Sequence, residues 1–151
     1  MIALLQRVLE ARVTVDGATV GEIGRGLLVF ACAERGDSSR QAERLADRIL
    51  DFRIFPDDAG KMNRALRGTG GGVLIVPQFT LAADTRSGNR ASFTPAADPE
   101  SARGLYEELV RRVCAAHAPV ATGRFGATMQ VHLVNDGPVT FLLRVDPPSA
   151  H

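Results

Sequence analysis

The 151-residue sequence predicts an α/β fold: a single small domain with a sheet and two main helices. Three features carry this reading. Residues 27–32 and 73–76 are continuous apolar runs without alternation, the pattern of strands covered on both faces. Ala42, Leu45, Ala46, Ile49 and Leu50 recur at the spacing of an amphipathic helix, as do Ala102, Leu105, Tyr106, Leu109, Val110 and Val113. Turn chemistry separates these runs, Asp16-Gly17 foremost. A hydrophobic share of 45% against 23% charged residues fits a compact domain rather than disorder. A chain of this size buries about 70% of its extended surface. The domain is placed at residues 1–145, with a loose tail at 146–151.

In order, residues 2–8 form an apolar opening broken only by Gln6 and Arg7. Val13-x-Val15, the Asp16-Gly17 turn, Val20, Ile23 and Gly24-x-Gly26 lead to the first buried strand. Three short strands joined by tight turns make a meander. Asp37, Ser38 and Ser39 offer an N-cap to the first helix, whose polar face carries Arg44 and Arg48. Phe52 and Ile54 alternate as a short strand ending by Pro56, followed by a loop at 57–60. Lys61-Met62-Asn63 lacks the glycine-rich run into Lys-Ser/Thr that a phosphate loop needs. Residues 68–72 read as a flexible glycine-rich run before the second buried strand.

After that strand comes Pro77-Gln78-Phe79-Thr80. The proline marks an edge, a bulge or a strand end, because it cannot donate into a ladder. On an extended backbone Gln78 and Thr80 point to one side and Phe79 to the other. Residues 84–98 form a long loop carrying Arg86 and Arg90, a length uncommon unless it binds something. Asp98 caps the second helix, Pro99 occupies its first turn, and Pro119 stops it. A turn at 123–126 precedes two closing strands, residues 129–134 and 139–145. Between them lies Asn135-Asp136-Gly137-Pro138-Val139-Thr140, which local sequence allows to be a hairpin turn or a segment with a cis Gly-Pro bond.

The equipment for chemistry is thin. Gln6 and Arg7 follow Met1 to Leu5 at once, which argues against a signal peptide, and no apolar run approaches the roughly 20 residues that cross a membrane. Cys32 and Cys114 sit in separate apolar runs, as buried thiols of a reducing compartment do, and the cytoplasm is expected. His117, His132 and His151 lie in no metal-ligand spacing, so no metal and no cofactor are expected. A net charge of +1 argues against a general polyanion binder, although Lys61 is the single lysine among 18 basic residues. What remains is neutral: Thr80 has a hydroxyl without a visible base, and Gln78 with nearby N–H groups suits a developing oxyanion. A polar strand end is the plainer reading of the same residues.

Two widely separated motifs, Gln78-Phe79-Thr80-Leu81 after Val76-Pro77 and Asn135-Asp136-Gly137-Pro138-Val139-Thr140, resemble the D-aminoacyl-tRNA deacylase family, also called D-tyrosyl-tRNA deacylase-like. Supporting matches include Gln6-Arg7-Val8, Val15-Asp16-Gly17, Gly60-Lys61-Met62-Asn63, Gly88-Asn89-Arg90 with Ser92-Phe93, and Thr122-Gly123-Arg124-Phe125-Gly126-Ala127-x-Met129. The resemblance covers residues 1 to about 145. It implies a small α/β domain with a barrel-like antiparallel and mixed sheet, forming a homodimer whose sites lie at the interface, acting on the 3′ end of aminoacyl-tRNA, with neither DNA nor membrane as partner. It implies a catalytic segment of Gln78, Phe79 and Thr80, with Gly137, Pro138, Arg7 and Met129 binding substrate. The Gly137-Pro138 pair, cis in the family and braced by Arg7, would enter the partner's pocket, take the substrate amino group and exclude L side chains.

The implied reaction is hydrolysis of D-aminoacyl-tRNA, and of glycyl esters, while L-aminoacyl-tRNA is rejected. Thr80 as nucleophile competes with assistance by the substrate's own 2′-hydroxyl, and the missing base favours the second. Arg86 and Arg90 are expected on tRNA phosphates. Pro77 stands where serine is common in the family, Thr128 where aspartate is usual and Ala91 where proline is usual. A noncatalytic RNA-end or small-ligand binding module that has lost the activity and a general small-molecule hydrolase are the competing readings.

Overall fold

The computed structural model describes residues 1–149; Ala150 and His151, the end of the expected tail, lie outside the described residues. The elements are β1 Ile2–Val15, β2 Ala18–Ile23, β3 Gly26–Cys32, α1 Ser39–Asp51, β4 Arg53–Pro56, β5 Met62–Ala65, α2 Leu66–Thr69, β6 Gly72–Pro77, a 3₁₀ turn Phe79–Ala82, α3 Pro99–Ala116, β7 Val120–Thr122 and β8 Gln130–Arg144. The main sheet runs β2-β1-β3-β6-β7, with β8 on the other edge of β1, and β4 and β5 form a separate hairpin. Pairs β3–β6 and β6–β7 are parallel and the others antiparallel, so the sheet is mixed. Residues 146–149 carry no regular structure.

The buried strands are apolar on both faces because both faces are covered. Leu27, Val29 and Ala31 on β3, with Val73 and Ile75 on β6, face the core shared with Leu45 and Ile49 of α1 and Leu109 and Val113 of α3. Leu28, Leu74 and Val76, the alternate residues, fill the inside of the curled sheet with Val8, Val13 and Ile23. The helices begin where their caps predict. Ser38 and Gln41 form a reciprocal capping box on α1, and the Asp98 carboxylate accepts from Ser101 N at 3.0 Å on α3. Asp37 is diverted from capping: it pairs with the Met1 ammonium at 2.8 Å, both groups buried, while Met1 N also donates to the Val145 carbonyl.

Four sequence expectations are corrected. First, β1 is one 14-residue strand, and the opening strands are not a meander. β3 pairs with the first half of β1, from Ile2↔Cys32 to Val8↔Gly26, and β2 takes the second half, from Ala11↔Ile23 to Val15↔Ala18. A strand of that length seats both on one edge. Second, residues 68–72 are not a loose run: buried Leu66 anchors α2, Gly70 takes the left-handed cap at φ 69°, and Gly72 already belongs to β6.

Third, the closing strands are one, β8, paired with β1 over nearly all its length. Gln6 faces Thr140 and Val8 faces Asn135, so an advance of two residues on β1 spans five on β8. Asn135-Asp136-Gly137-Pro138-Val139 is therefore a bulge within a strand, not a hairpin, and its Gly137-Pro138 bond is cis. Fourth, the segment after β6 is not extended; it winds into the 3₁₀ turn described below.

The sheet nearly closes where β2 meets β7. A Cβ added at Gly21 would sit 2.3 Å from the Thr122 carbonyl oxygen, so only glycine permits this approach. Gly24, with nothing within 4 Å of its imaginary Cβ, is a fair control. In urea titrations Gly21→Ala is expected to lower the unfolding free energy by about 2 kcal/mol, as overpacking does. Gly24→Ala should stay within about 0.5 kcal/mol of the parent.

Candidate active site

Beyond the end of β6 lies a cavity of about 570 Å³, into which Pro77, Gln78, Phe79, Phe125, Thr128 and Met129 project. Its position follows from where the ladder stops. Pro77 is the last residue of β6, opposite Ala31, and Gln78 N makes a final bond to the Ala31 carbonyl at 2.9 Å. On the other side β7 ends at Thr122, and the Pro77 ring lies 3.4 Å from the Cβ position of Gly123. A proline is accommodated there because no strand remains to receive its donor.

Gln78 then turns the chain, with φ −143° and ψ 80°, into the 3₁₀ turn. Leu81 N reaches back to the Gln78 carbonyl at 3.3 Å, and Ala83 N to that of Thr80 at 3.1 Å. Beneath the turn, Ile2, Cys32 and Ala82 form a small apolar cluster that draws it onto the sheet. The Cys32 thiol donates to the Phe79 carbonyl at 3.5 Å. The N–H groups of Phe79 and Thr80 open the turn, where such groups have no internal acceptor, and none is found among the described residues.

Despite the change in backbone, Gln78 and Thr80 meet: Gln78 Nε2 donates to Thr80 Oγ1. Thr80 is exposed, and among the described residues its hydroxyl has no carboxylate, histidine or lysine partner. A neutral amide, whichever way round, cannot take its proton. The Phe79 ring is 60% exposed and leans on Phe93 with centroids 5.2 Å apart.

Opposite the turn, Met129 Sδ accepts from Arg124 N at 3.3 Å and packs against Gly123, where a Cβ would come within 2.9 Å. Phe125 stacks between Tyr106, at 6.0 Å, and the Arg103 guanidinium, at 4.8 Å. The Tyr106 hydroxyl donates to the Ile75 carbonyl at 2.7 Å, which fixes that wall to β6.

Gln78, Phe79 and Met129 thus share one cavity with Thr80 on the adjoining turn, whereas Gly137, Pro138 and Arg7 are not among the residues lining it in their own chain. The bulge bearing Gly137 and Pro138 is exposed and firmly braced. Arg7 Nε donates to the Asp136 carbonyl and Arg7 Nη1 to that of Ile54, each at 2.9 Å. Asn135 closes the bulge, accepting from Val139 N at 2.7 Å and donating to the Val139 carbonyl at 3.2 Å.

Phe125 and Thr128 were missed as site residues, although both stand in the Gly123-to-Met129 motif that sequence singled out. Cys32 gave no signal, because a thiol in a buried strand reads as core. His117 bonds to the Gly71 carbonyl at 2.6 Å and His132 faces Arg12 at 3.5 Å, so neither serves the cavity. Among the described residues no group of three His, Cys, Asp or Glu side chains could hold a metal. In the long loop Arg86 forks onto Asp84, at 2.9 and 2.8 Å, and this hydrogen bonding holds the Asp84 carboxyl down at about 2. Arg86 thus pairs within the loop while its side chain stays largely exposed.

Burial pushes the Cys32 thiol up to about 11, so at neutral pH it is a protonated strut under the turn, not a nucleophile. Cys114, expected to be buried, is instead exposed on the solvent side of α3, so iodoacetamide at pH 8 should label it and spare Cys32 in the folded protein. Labelling of Cys32 should follow unfolding or a rise of pH toward 11. Equal labelling of both at pH 8, read by peptide mass, would contradict this placement.

Residues 4–144 match the family model described as D-Tyr-tRNA(Tyr) deacylase. The chain is 64% identical over 148 residues to the D-aminoacyl-tRNA deacylase of Paracidovorax citrulli (strain AAC00-1), covering 98% of this chain and 96% of that protein. It is also 64% identical over 148 residues to the D-aminoacyl-tRNA deacylase of Thioalkalivibrio sulfidiphilus (strain HL-EbGR7), covering 98% and 99%. Among solved structures, a c-Myc DNA unwinding element binding protein superposes with a TM-score of 0.92 at 36% identity, covering 97% of this chain and 99% of that one. With its two motifs on the cavity turn and on the bulge of β8, and with matches of this length, the chain belongs to the D-Tyr-tRNA(Tyr) deacylase family.

Proposed function

We propose that the protein hydrolyses the ester joining a D-amino acid, or glycine, to the 3′-terminal adenosine of tRNA, and rejects L-aminoacyl-tRNA. The observation that carries this is the turn after β6: two unpartnered N–H groups beside a cavity, next to a threonine whose only bonded neighbour among the described residues is a neutral amide. Such a site positions and polarises; it is poorly built to attack. Water adds to the ester carbonyl, and Phe79 N–H and Thr80 N–H receive the oxyanion. The bond to the ribose 3′-oxygen then breaks, releasing the amino acid and a free 3′-hydroxyl. The proton transfers fall to the substrate's 2′-hydroxyl, already held beside the ester.

Chirality is assigned to a homodimer. Gly137 and Pro138 are exposed on a braced bulge outside their own chain's cavity, and Leu142, on the same strand, is 57% exposed. In this reading the bulge enters the partner's cavity, its carbonyls take the substrate ammonium, and its bulk occupies the space an L side chain would need. Met129 and Gln78 line the remaining walls. Pro77 and Thr128 reshape that lining relative to the family, while Ala91 lies on the exposed loop. We place the protein in the cytoplasm; no helix among the described residues is long and apolar enough to cross a membrane.

Single-turnover assays with D- and L-aminoacyl-tRNA test this reading, with duplex DNA binding measured alongside because one structural relative is named for it. Cleavage of the D ester alone is expected. Thr80→Ala should keep a substantial part of the rate, since backbone donors survive the substitution. A substrate ending in 2′-deoxyadenosine should be cleaved far more slowly by the parent. Near-complete loss in a folded Thr80→Ala protein, with acyl-Thr80 trapped in the parent, would establish covalent catalysis instead. DNA binding without ester cleavage would favour a binding module.

A further inference from the structure

A second cavity, of about 670 Å³, lies against the first. Phe79, Ala96, Ala97 and Pro99 line both, so the two share a wall. On its far side stand Phe93, Arg35, Asp98 and Ser101, together with Glu34 and Asp37, whose carboxylates are held by Arg144 at 2.7 Å and by the Met1 ammonium at 2.8 Å. The Phe93 ring is 43% exposed although it packs against Phe79, so folding leaves much of an aromatic surface open here. The ring is not on a loose tip. The loop carrying it is pinned by the Asp84↔Ser92 and Glu34↔Ala96 bridges and by Arg35 N bonding to the Pro95 carbonyl at 3.0 Å.

We infer that this cavity is a nucleobase subsite that takes the base preceding the terminal adenosine, stacked on Phe93, with Arg35 facing the intervening phosphodiester. The inference rests on the reading of the first cavity as the site of the aminoacylated adenosine. A strand whose last nucleoside enters one cavity must lay its next nucleotide within one backbone unit of the shared wall. An exposed ring suits any base, because each has a π-face. Arg35 is the single basic side chain lining the cavity among the described residues, and a guanidinium fork matches a phosphodiester. Ser101 offers a hydroxyl to the edge of the base, and the Asp98 carboxylate, which already caps Ser101 N, offers its remaining oxygen; an apolar peptide would have to cover that charge without giving it a further partner. In tRNA the preceding base is cytosine, whose exocyclic amine is a donor.

The experiment compares D-aminoacyl-adenosine with the D-aminoacyl cytidylyl-adenosine dinucleotide on the intact protein. Adding the cytidylate should raise the parent's kcat/KM roughly fivefold or more, the lower end of what one stacked base contributes. Phe93→Ala should lose that gain yet cleave D-aminoacyl-adenosine as the parent does, and Phe93→Tyr should keep it. No gain in the parent, or an equal loss on both substrates in Phe93→Ala, would overturn the subsite. Should the parent cleave neither ester, the proposed function fails by itself. Calorimetry with unacylated cytidylyl-adenosine against adenosine then decides the subsite: tighter binding of the dinucleotide that Phe93→Ala abolishes supports it, and equal binding refutes it.

Discussion

Pairing of the first strand with the last is the constraint on which the rest depends. β1 offers one whole edge to β8, and β8 carries more residues than β1 can match between Gln6 and Val8. The excess has to leave the ladder. Its backbone polar groups would then lack partners, and Arg7 and Asn135 supply them: one guanidinium bonds the Asp136 carbonyl on one side and Ile54 on the other, and one amide bonds Val139 twice. A planar fork and a carboxamide suit this task because each meets more than one backbone group at a fixed angle. The result is a rigid projection on a strand with a free edge among the described residues. Gly137 stands at its tip, where a Cβ would lie 2.5 Å from Val139.

The cavity obeys the same logic at the other end of the sheet. Parallel pairing of β3 and β6 runs until Pro77, β7 stops at Thr122, and the chain must turn where both neighbours end. The turn leaves two N–H groups without acceptors among the described residues, and the small cluster of Ile2, Cys32 and Ala82 holds it down. In the proposed mechanism reactivity belongs to backbone geometry, and Thr80, tethered to Gln78, is a spectator. An oxyanion site of this kind stores its cost in the fold and spends no reorganisation during the reaction.

Much of this was legible in the sequence where local physics decides. A cap within Asp37-Ser38-Ser39, which falls on Ser38, the Asp98-Pro99 start and the unbroken apolar runs of β3 and β6 each follow from a few adjacent residues. What failed depends on distant partners. Asn135-Asp136-Gly137-Pro138 has the chemistry of a turn, and only its pairing with residues near Arg7 makes it a bulge in a continuous strand. Gln78-Phe79-Thr80 looks extended in isolation; the end of β7 and the contact with Cys32 wind it. The burial of Leu66 turns a glycine-rich stretch into a helical one. Of the site, both motifs were visible from the family resemblance, whereas the second cavity and its Phe93 wall required the loop to be folded against β3 and α3.

The central claim is that one chain's bulge completes the other chain's cavity, and subunit mixing tests it most directly. Phe79→Pro removes one oxyanion donor at a position where a helical turn tolerates proline. Gly137→Ala crowds the tip of the bulge against Val139. Each variant alone should be nearly inactive toward D-aminoacyl-tRNA. Co-refolded in equal amounts, the two should regain about a quarter of parental activity, because half of the dimers are mixed and a two-fold interface gives each mixed dimer one site with an intact turn and an intact bulge. If the bulge served the cavity of its own chain, every site in the mixture would carry one lesion, and activity would stay at the level of the separate variants.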